Sequence, residues 1–448
     1  MVAQSGVPTG GGHADVEPAL AVLRAALCCA VVSLLLVCRV FSSFYTDAGF
    51  LYRSHPLLPK RALGAAGFRR LKLLVLVSSI LYGIGFLLPL TGALFCCSFA
   101  VLNFYATRFS TDYWITNTHL NIFSFLVYFS GGGRGHSVDS LFGVPGWHAA
   151  SVASLSFLVM RLYVVLVYFQ AGISKVLAGG SDWFLTGQSL RVAVGIHGTR
   201  RGRQLLATPG RRTCAAVATG VFELLAPVAL VSRTVFICFL AIALVFHFAT
   251  WLTLGISFWF LWILYPGLLL GARWHDGAGP GRQVWILVAL AAVMLAHTLL
   301  RGSHWPISCH DLFADLFPME LDYYAVVLVD AAGDEQFALP GAVVPIEYFR
   351  TANLIGNVFL RGSDRGVRDA LAKSVLGWAN GCRWPRGGEI MHPVRRNPQI
   401  PFVGVRIALY RFDFRRLQPS QQLDSCGSLV RDLHVYGGVP GAAEEIGA

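Results

Sequence analysis

The chain has 448 residues, 55% of them hydrophobic and 13% charged, with a mean hydropathy of +0.58. A soluble protein of this size cannot hide that much apolar surface, so most of the chain belongs in lipid. The net charge of +12 is uneven: residues 301–448 carry 15 Lys+Arg and 16 Asp+Glu, leaving 21 and 8 before them. That basic excess suits loops held against anionic lipid, and no basic–aromatic motif points to nucleic acid.

In chain order, residues 1–17 read as a glycine-rich, disordered tail. Asp15 and Glu17 stand where a cleavable signal peptide would carry positive charge, so none is read. The first span runs from Ala19 to Val40, close to the ~20 residues a bilayer requires. Arg39 sits at its end, placed to snorkel to the headgroups. A basic loop follows, then spans at 73–88, 91–107 and 119–130, and a glycine loop carrying His136 and Asp139. The fifth span, Leu155–Leu177, ends at Lys175; a glycine turn and a Trp183-x-x-x-Gly187 segment come next. After a basic connection, spans are expected at 214–232 with Glu223, 234–254 with His247, 256–272 and 284–300. Residues 18–300 are therefore expected to form an all-α polytopic membrane bundle of about eight or nine spans.

Beyond Arg301 the pattern changes. Alternation over Tyr323–Val329, a Gly333-Asp334 turn and Gln336–Leu339 predict a β-hairpin. Val405–Phe414 reads as a further strand and Arg365–Asn380 as a helix. Residues 301–448 are thus expected to be a small, mainly β extramembranous α+β domain. The 10 cysteines show no zinc spacing, so no metal is expected; Cys309, Cys382 and Cys426 could pair in an oxidising compartment.

Ionisable groups at a membrane boundary are functional-site hypotheses by default. Arg39, His119, Asp139, Lys175, Glu223 and His247 stand out on that ground. Glu223 and His247 can equally join helices by hydrogen bonds, and Asp139, just past a glycine run, suits a helix cap. Lys175 is different, because Val176 and Leu177 continue the apolar run beyond it. A lysine stripped of water can act as a base. His119 opens the fourth span at the same kind of boundary, and a histidine and a lysine together could abstract a proton. There is no GxSxG, HExxH, P-loop or dinucleotide fingerprint, which leaves ordinary hydrolase, zinc-protease and ATPase readings weak.

The run Tyr168-Phe169-Gln170-Ala171-Gly172-Ile173-Ser174-Lys175, followed by Trp183 and Gly187, resembles the horizontally transferred transmembrane (HTTM) domain of vitamin K-dependent γ-carboxylases. Other segments resemble it in the same order: Tyr45 to Gly49, Asn117-Thr118-His119, His136-Ser137-Val138-Asp139, and His247 before an apolar run. The resemblance covers about residues 20 to 300. It implies a γ-glutamyl carboxylase-like enzyme in which Lys175 is the base that deprotonates reduced vitamin K or menaquinol, with His119 beside it. Oxygen adds to that anion, the resulting strong base removes a γ-proton from glutamate, and the carbanion attacks carbon dioxide. Excluding water protects both reactive species, and the quinone would enter sideways from lipid. The implied partners are membrane lipid and a glutamate-containing peptide or protein, in a multi-pass cell or endoplasmic reticulum membrane protein. Two features depart from the carboxylases: Ser174 replaces the first of two consecutive lysines, and the tail is short. With nine spans, the positive-inside rule puts Lys175 on the cytoplasmic side, whereas the animal carboxylase faces the lumen. The alternative is a non-catalytic membrane partner, export or immunity protein for a secreted peptide.

Overall fold

The computed structural model describes residues 16–37, 41–109, 115–144, 150–256, 258–271, 283–300, 303–304, 307–308, 315–338, 343–346, 348–381, 400–418, 421 and 423–438. Its principal helices before the tail are α1 (Val16–Leu36), α2 (Ala65–Ile84), α3 (Leu88–Ala106), α4 (Ile115–Phe129) and α5 (Ala150–Leu185). They continue with α6 (Gln188–His197), α7 (Arg200–Leu205), α8 (Pro209–Leu224), α9 (Arg233–Leu254) and α10 (Gln283–Leu299). Four stretches among the described residues are long and apolar enough to cross a membrane: Glu17–Leu36, Leu88–Ala106, Leu155–Leu185 and Arg233–Leu254. Exposed Ile242, Val245 and Phe248 on α9 form the kind of outer face that lipid would cover.

The expected eight or nine spans are not supported. Helix α2 carries Arg69, Arg70 and Lys72 near its start, and α8 combines Arg211, Arg212 and Glu223 within 16 residues. The stretch 256–272 is not one helix. Gly255 ends α9 in the left-handed region (φ 70°), and the chain then forms two short helices, Trp259–Trp262 and Tyr265–Leu270, the second with a proline in its first turn. The apolar stretches Thr118–Phe129 and Trp285–Leu299 are shorter than a membrane-length helix. Of residues 1–17, where the disordered tail was expected, 1–15 lie outside the described residues, as do Arg39, Cys309 and Cys382, while Val16 and Glu17 already belong to α1.

One buried arginine ties the N-terminal helices together. Arg24 of α1 is 2% exposed and donates to the carbonyls of Gly132 (2.5 Å), His136 (2.8 Å), Gly83 (3.3 Å) and Gly133 (3.3 Å). The glycine loop has to run against α1 for this: Gly133 has φ 68°, and a Cβ there would stand 2.1 Å from the Ala21 nitrogen. Asp139 does cap a helix, but α3 rather than its own. Its carboxylate accepts from the backbone nitrogens of Leu87 (2.7 Å) and Leu88 (2.8 Å), while Ser137 caps the short helix that contains Asp139. The contact also holds Leu87 at φ 47°, a left-handed conformation that a leucine disfavours by about 1–2 kcal/mol. Asp139→Ala is expected to cost about 1–2 kcal/mol in an unfolding experiment, with Asp139→Asn recovering part of it.

The tail forms an antiparallel sheet of β1 (Glu320–Asp330), β2 (Glu335–Ala338), β3 (Phe402–Asp413) and β4 (Gly427–Gly437), in the order β2-β1-β3-β4. The expected hairpin is there: Val326 pairs with Ala338, and Asp330 closes the turn by accepting from Ala332 and Asp334. Helices α11 (Tyr348–Ile355) and α12 (Arg365–Gly381) accompany the sheet, with α12 packed against β3 and β4. Several contacts join the tail to the helices, among them Gln188 of α6 donating to the Phe317 carbonyl (2.7 Å). Trp378 of α12 donates to Asp47 (3.3 Å) and packs on Phe44, whereas Arg191 of α6 donates to the carbonyls of Phe414 and Arg415.

Candidate functional site

Tyr168, Ala171 and Lys175 lie at i, i+3 and i+7 on α5, hence on one face of it. That face meets α8, and Gly172 permits the close approach. A Cβ at Gly172 would stand 3.0 Å from the Glu223 Cβ and 3.1 Å from the Leu224 nitrogen. As a result Lys175 donates to Glu223 Oε1 at 3.0 Å, while Oε2 lies 2.9 Å from the same nitrogen, off the hydrogen-bonding direction. Each side chain of this pair is only 5% exposed.

The segment after Lys175 explains its glycines. Helical geometry breaks at Gly180 (φ 58°, ψ −151°), and the chain folds back so that the buried Trp183 ring lies 5.3 Å below the Lys175 ammonium. A side chain at position 179 would collide with Trp183 at 2.7 Å, and one at position 220 with the Phe184 ring at 2.3 Å. The expected glycine turn is the kink at Gly180, where two helical stretches join within Ala150–Leu185.

Two histidines complete the site from other helices. His247 of α9 hydrogen-bonds through Nε2 to the Tyr168 hydroxyl, which also pairs with the Tyr265 hydroxyl at 2.6 Å. His247 Nδ1 is buried with no hydrogen-bond partner among the described residues, and aromatic rings including Phe258 and Trp262 surround the imidazole. His119 of α4 pairs through Nδ1 with the Tyr163 hydroxyl at 2.8 Å.

Lys175, Glu223, His119 and His247 all line one cavity of about 410 Å³. The remaining wall is chiefly apolar, with Phe222, Phe246, Leu254, Phe258 and Leu261 among its residues. The mouth opens between α8 and α9, helices that meet through the turn at Ala226–Leu230 more than along their lengths. Exposed Ala218, Ile242 and Val245 mark its rim on the outer, apolar face. A cavity of this size, mostly apolar with a few convergent polar groups, fits a small-molecule site.

Of the seven residues the sequence marks, four thus meet around this cavity. His136 and Asp139 do not: the His136 ring is exposed while its carbonyl serves Arg24, and Asp139 caps α3. Arg39 lies outside the described residues. Sequence reasoning missed Tyr168, Tyr265, Tyr163 and Arg24. The seven-residue spacing from Lys175 was a usable signal for Tyr168, whereas nothing local marks Tyr265, which reaches the site only because 256–272 folds as two short helices. Tyr168→Phe removes the one hydroxyl joining His247 to Tyr265. It is expected to destabilise the chain by about 1–3 kcal/mol, read by thermal unfolding, through polar groups left buried and unpaired.

Fold and site together define a mostly helical protein with membrane-length apolar helices and a small antiparallel sheet, holding a buried Lys–Glu pair and two histidines against one apolar cavity. Comparison with protein-family models, with curated proteins and with solved structures finds no match.

Proposed function

We propose that this chain is a multi-pass membrane protein of the HTTM type that binds a reduced quinone, vitamin K hydroquinone or menaquinol, and uses it in a γ-glutamyl carboxylase-like reaction. The observation that carries the reading is the convergence of Lys175, Glu223, His119 and His247 on one apolar cavity with a lateral mouth. The residues fit such a group. The apolar wall suits a hydrophobic ring and tail, and His247 Nδ1 leaves a buried polar atom free to meet a ring oxygen. When bound, the quinol would supply an acidic hydroxyl and the reducing power to activate oxygen.

The side chains support the roles the resemblance assigns. In a water-poor cavity, shifting the shared proton from Lys175 to Glu223 replaces two charges with a neutral amine and a neutral acid. The amine nitrogen can then accept a proton from a hydroxyl in the cavity, so that the ammonium pairs with the anion left there while Glu223, as a neutral acid, stays hydrogen-bonded beside it. Trp183 shields the pair from below, and Tyr163 and Tyr168 fix the orientation of the two imidazoles. Membrane lipid delivers the quinone, carbon dioxide and oxygen are co-substrates, and a glutamate-containing peptide is the acceptor.

The test is incubation of the purified full chain with vitamin K hydroquinone, oxygen, labelled bicarbonate and glutamate peptides. Label is expected in the peptide, and Lys175→Met/Glu223→Leu is expected to abolish it; no label, or equal label in both proteins, would sink the reading. One observation favours a second reading, a non-catalytic membrane partner, export or immunity protein. Lys175 and Glu223 already form an ion pair with each other, as a purely structural contact would. That reading gains if the double variant keeps the protein's biological effect.

A further inference from the structure

Tyr265, Tyr168 and His247 form a hydrogen-bonded chain, and the chemistry of its members gives it a direction. All three residues are only 4% exposed, so their polar atoms depend on one another. The Tyr265 hydroxyl meets the Tyr168 hydroxyl at 2.6 Å, and the Tyr168 hydroxyl meets His247 Nε2. Among the described residues these are the only hydrogen bonds the three side chains make. Each hydroxyl has one proton to give, and a neutral imidazole has one N–H and one bare nitrogen. Two directions are therefore open. Either Tyr265 donates to Tyr168 and Tyr168 to Nε2, which puts the imidazole proton on Nδ1, or every bond runs the other way.

Acid–base matching decides between them. A phenol is a far better donor than a neutral imidazole N–H, and an imidazole nitrogen is a far better acceptor than a phenol oxygen. The forward direction joins the best donor to the best acceptor, and the Tyr265 bond polarises Tyr168 further in the same sense. The reverse direction wastes both, leaving the Nδ1 lone pair and the Tyr265 proton without partners among the described residues. Tyr265 does not line the cavity and acts only through Tyr168, whereas His247 does line it. We infer that Tyr265 and Tyr168 are positioning residues that hold the His247 proton on Nδ1, and that this N–H donates to an acceptor oxygen of the bound ligand, a quinone carbonyl or a quinolate oxygen. Such a donor stabilises negative charge on the oxygen it meets, which is the charge left when Lys175 takes a proton. The identity of the ligand rests on the quinone reading above; the placing of the proton does not.

The test is solid-state 15N NMR of the full chain labelled with [15N]histidine, in mildly alkaline buffer where a neutral imidazole predominates. The His247 signals are those lost in His247→Asn. A protonated Nδ1 and a bare Nε2 are expected in the wild type. In Tyr168→Phe the two tautomers are expected to mix, and menadione, followed by quenching of tryptophan emission, should bind about twofold or more weakly because only part of the protein then presents the donor. Menadione should shift the wild-type Nδ1–H signal saturably, whereas 2-methylnaphthalene, with the same rings and no oxygen, should leave it in place. A protonated Nε2 in the wild type overturns the inference even if menadione binds, and it needs no variant to fold. An unchanged tautomer in folded Tyr168→Phe, or menadione bound with Nδ1–H unmoved, overturns it too. A protonated Nδ1 with no menadione binding sinks the quinone reading instead and leaves the donor in place.

Discussion

Replacing Lys175 alone by methionine is expected to destabilise the chain by about 3–5 kcal/mol, because it leaves the Glu223 carboxylate buried without its partner. Replacing both, as Lys175→Met/Glu223→Leu, is expected to restore stability to wild-type or raise it by about 1–4 kcal/mol, since two desolvated charges give way to packed apolar groups. Unfolding of the solubilised full chain would read both effects. The contrast matters for the proposed function: the double variant keeps the fold and removes the base we propose. Stability and the proposed hydroquinone-dependent activity should therefore part company in this one protein, being lost together in the single variant and separated in the double. If the double variant were as unstable as the single one, the pair would not be a closed two-residue unit.

The second large effect is expected far from the cavity. Arg24→Leu removes the guanidinium that serves Gly132 and His136 at 2.5 and 2.8 Å and reaches Gly83 and Gly133 at 3.3 Å. Two close carbonyls lose their buried donor, at about 1–3 kcal/mol each, so the total loss is about 2–6 kcal/mol. Arg24→Lys should recover only part of it, because a single ammonium cannot reproduce the fork that spans the glycine loop and the end of α2. Proteolysis between α4 and α5 offers a local readout, with faster cleavage expected in the leucine variant. Cleavage unchanged in a folded Arg24→Leu protein would mean that the loop is held by other contacts.

Local patterns made much of the tail and part of the bundle legible. Alternation plus Gly333-Asp334 gave the β1–β2 hairpin, and the apolar run from Leu155 gave the long helix that ends beyond Lys175. Strand β4 was not visible, because its outward residues break the alternation: Leu429 and Val430 are both largely exposed. The stretch 256–272 looked like a span because hydropathy counts residues and overlooks Gly255 and Pro266, whose backbone constraints divide it. At the site, Lys175, His119, Glu223 and His247 stood out as ionisable groups in apolar surroundings. That Glu223 is the partner of Lys175 was not legible, because 48 residues separate them and Gly172 and Gly220 show their purpose only once α5 and α8 are packed. Asp139 was rightly suspected as a cap, but its client is α3, more than fifty residues earlier, at Leu87.

The central claim is that the cavity beside Lys175 takes up a quinone from lipid. Its most direct measurement is a titration of the full chain with a short-chain menaquinone, followed by quenching of tryptophan emission and compared with Ala218→Trp, which narrows the mouth from the exposed face of α8. One saturable site per chain is predicted, weakened about tenfold or more in Ala218→Trp while its unfolding midpoint stays unchanged. No saturable quenching, or the same affinity with the mouth narrowed, would contradict the account.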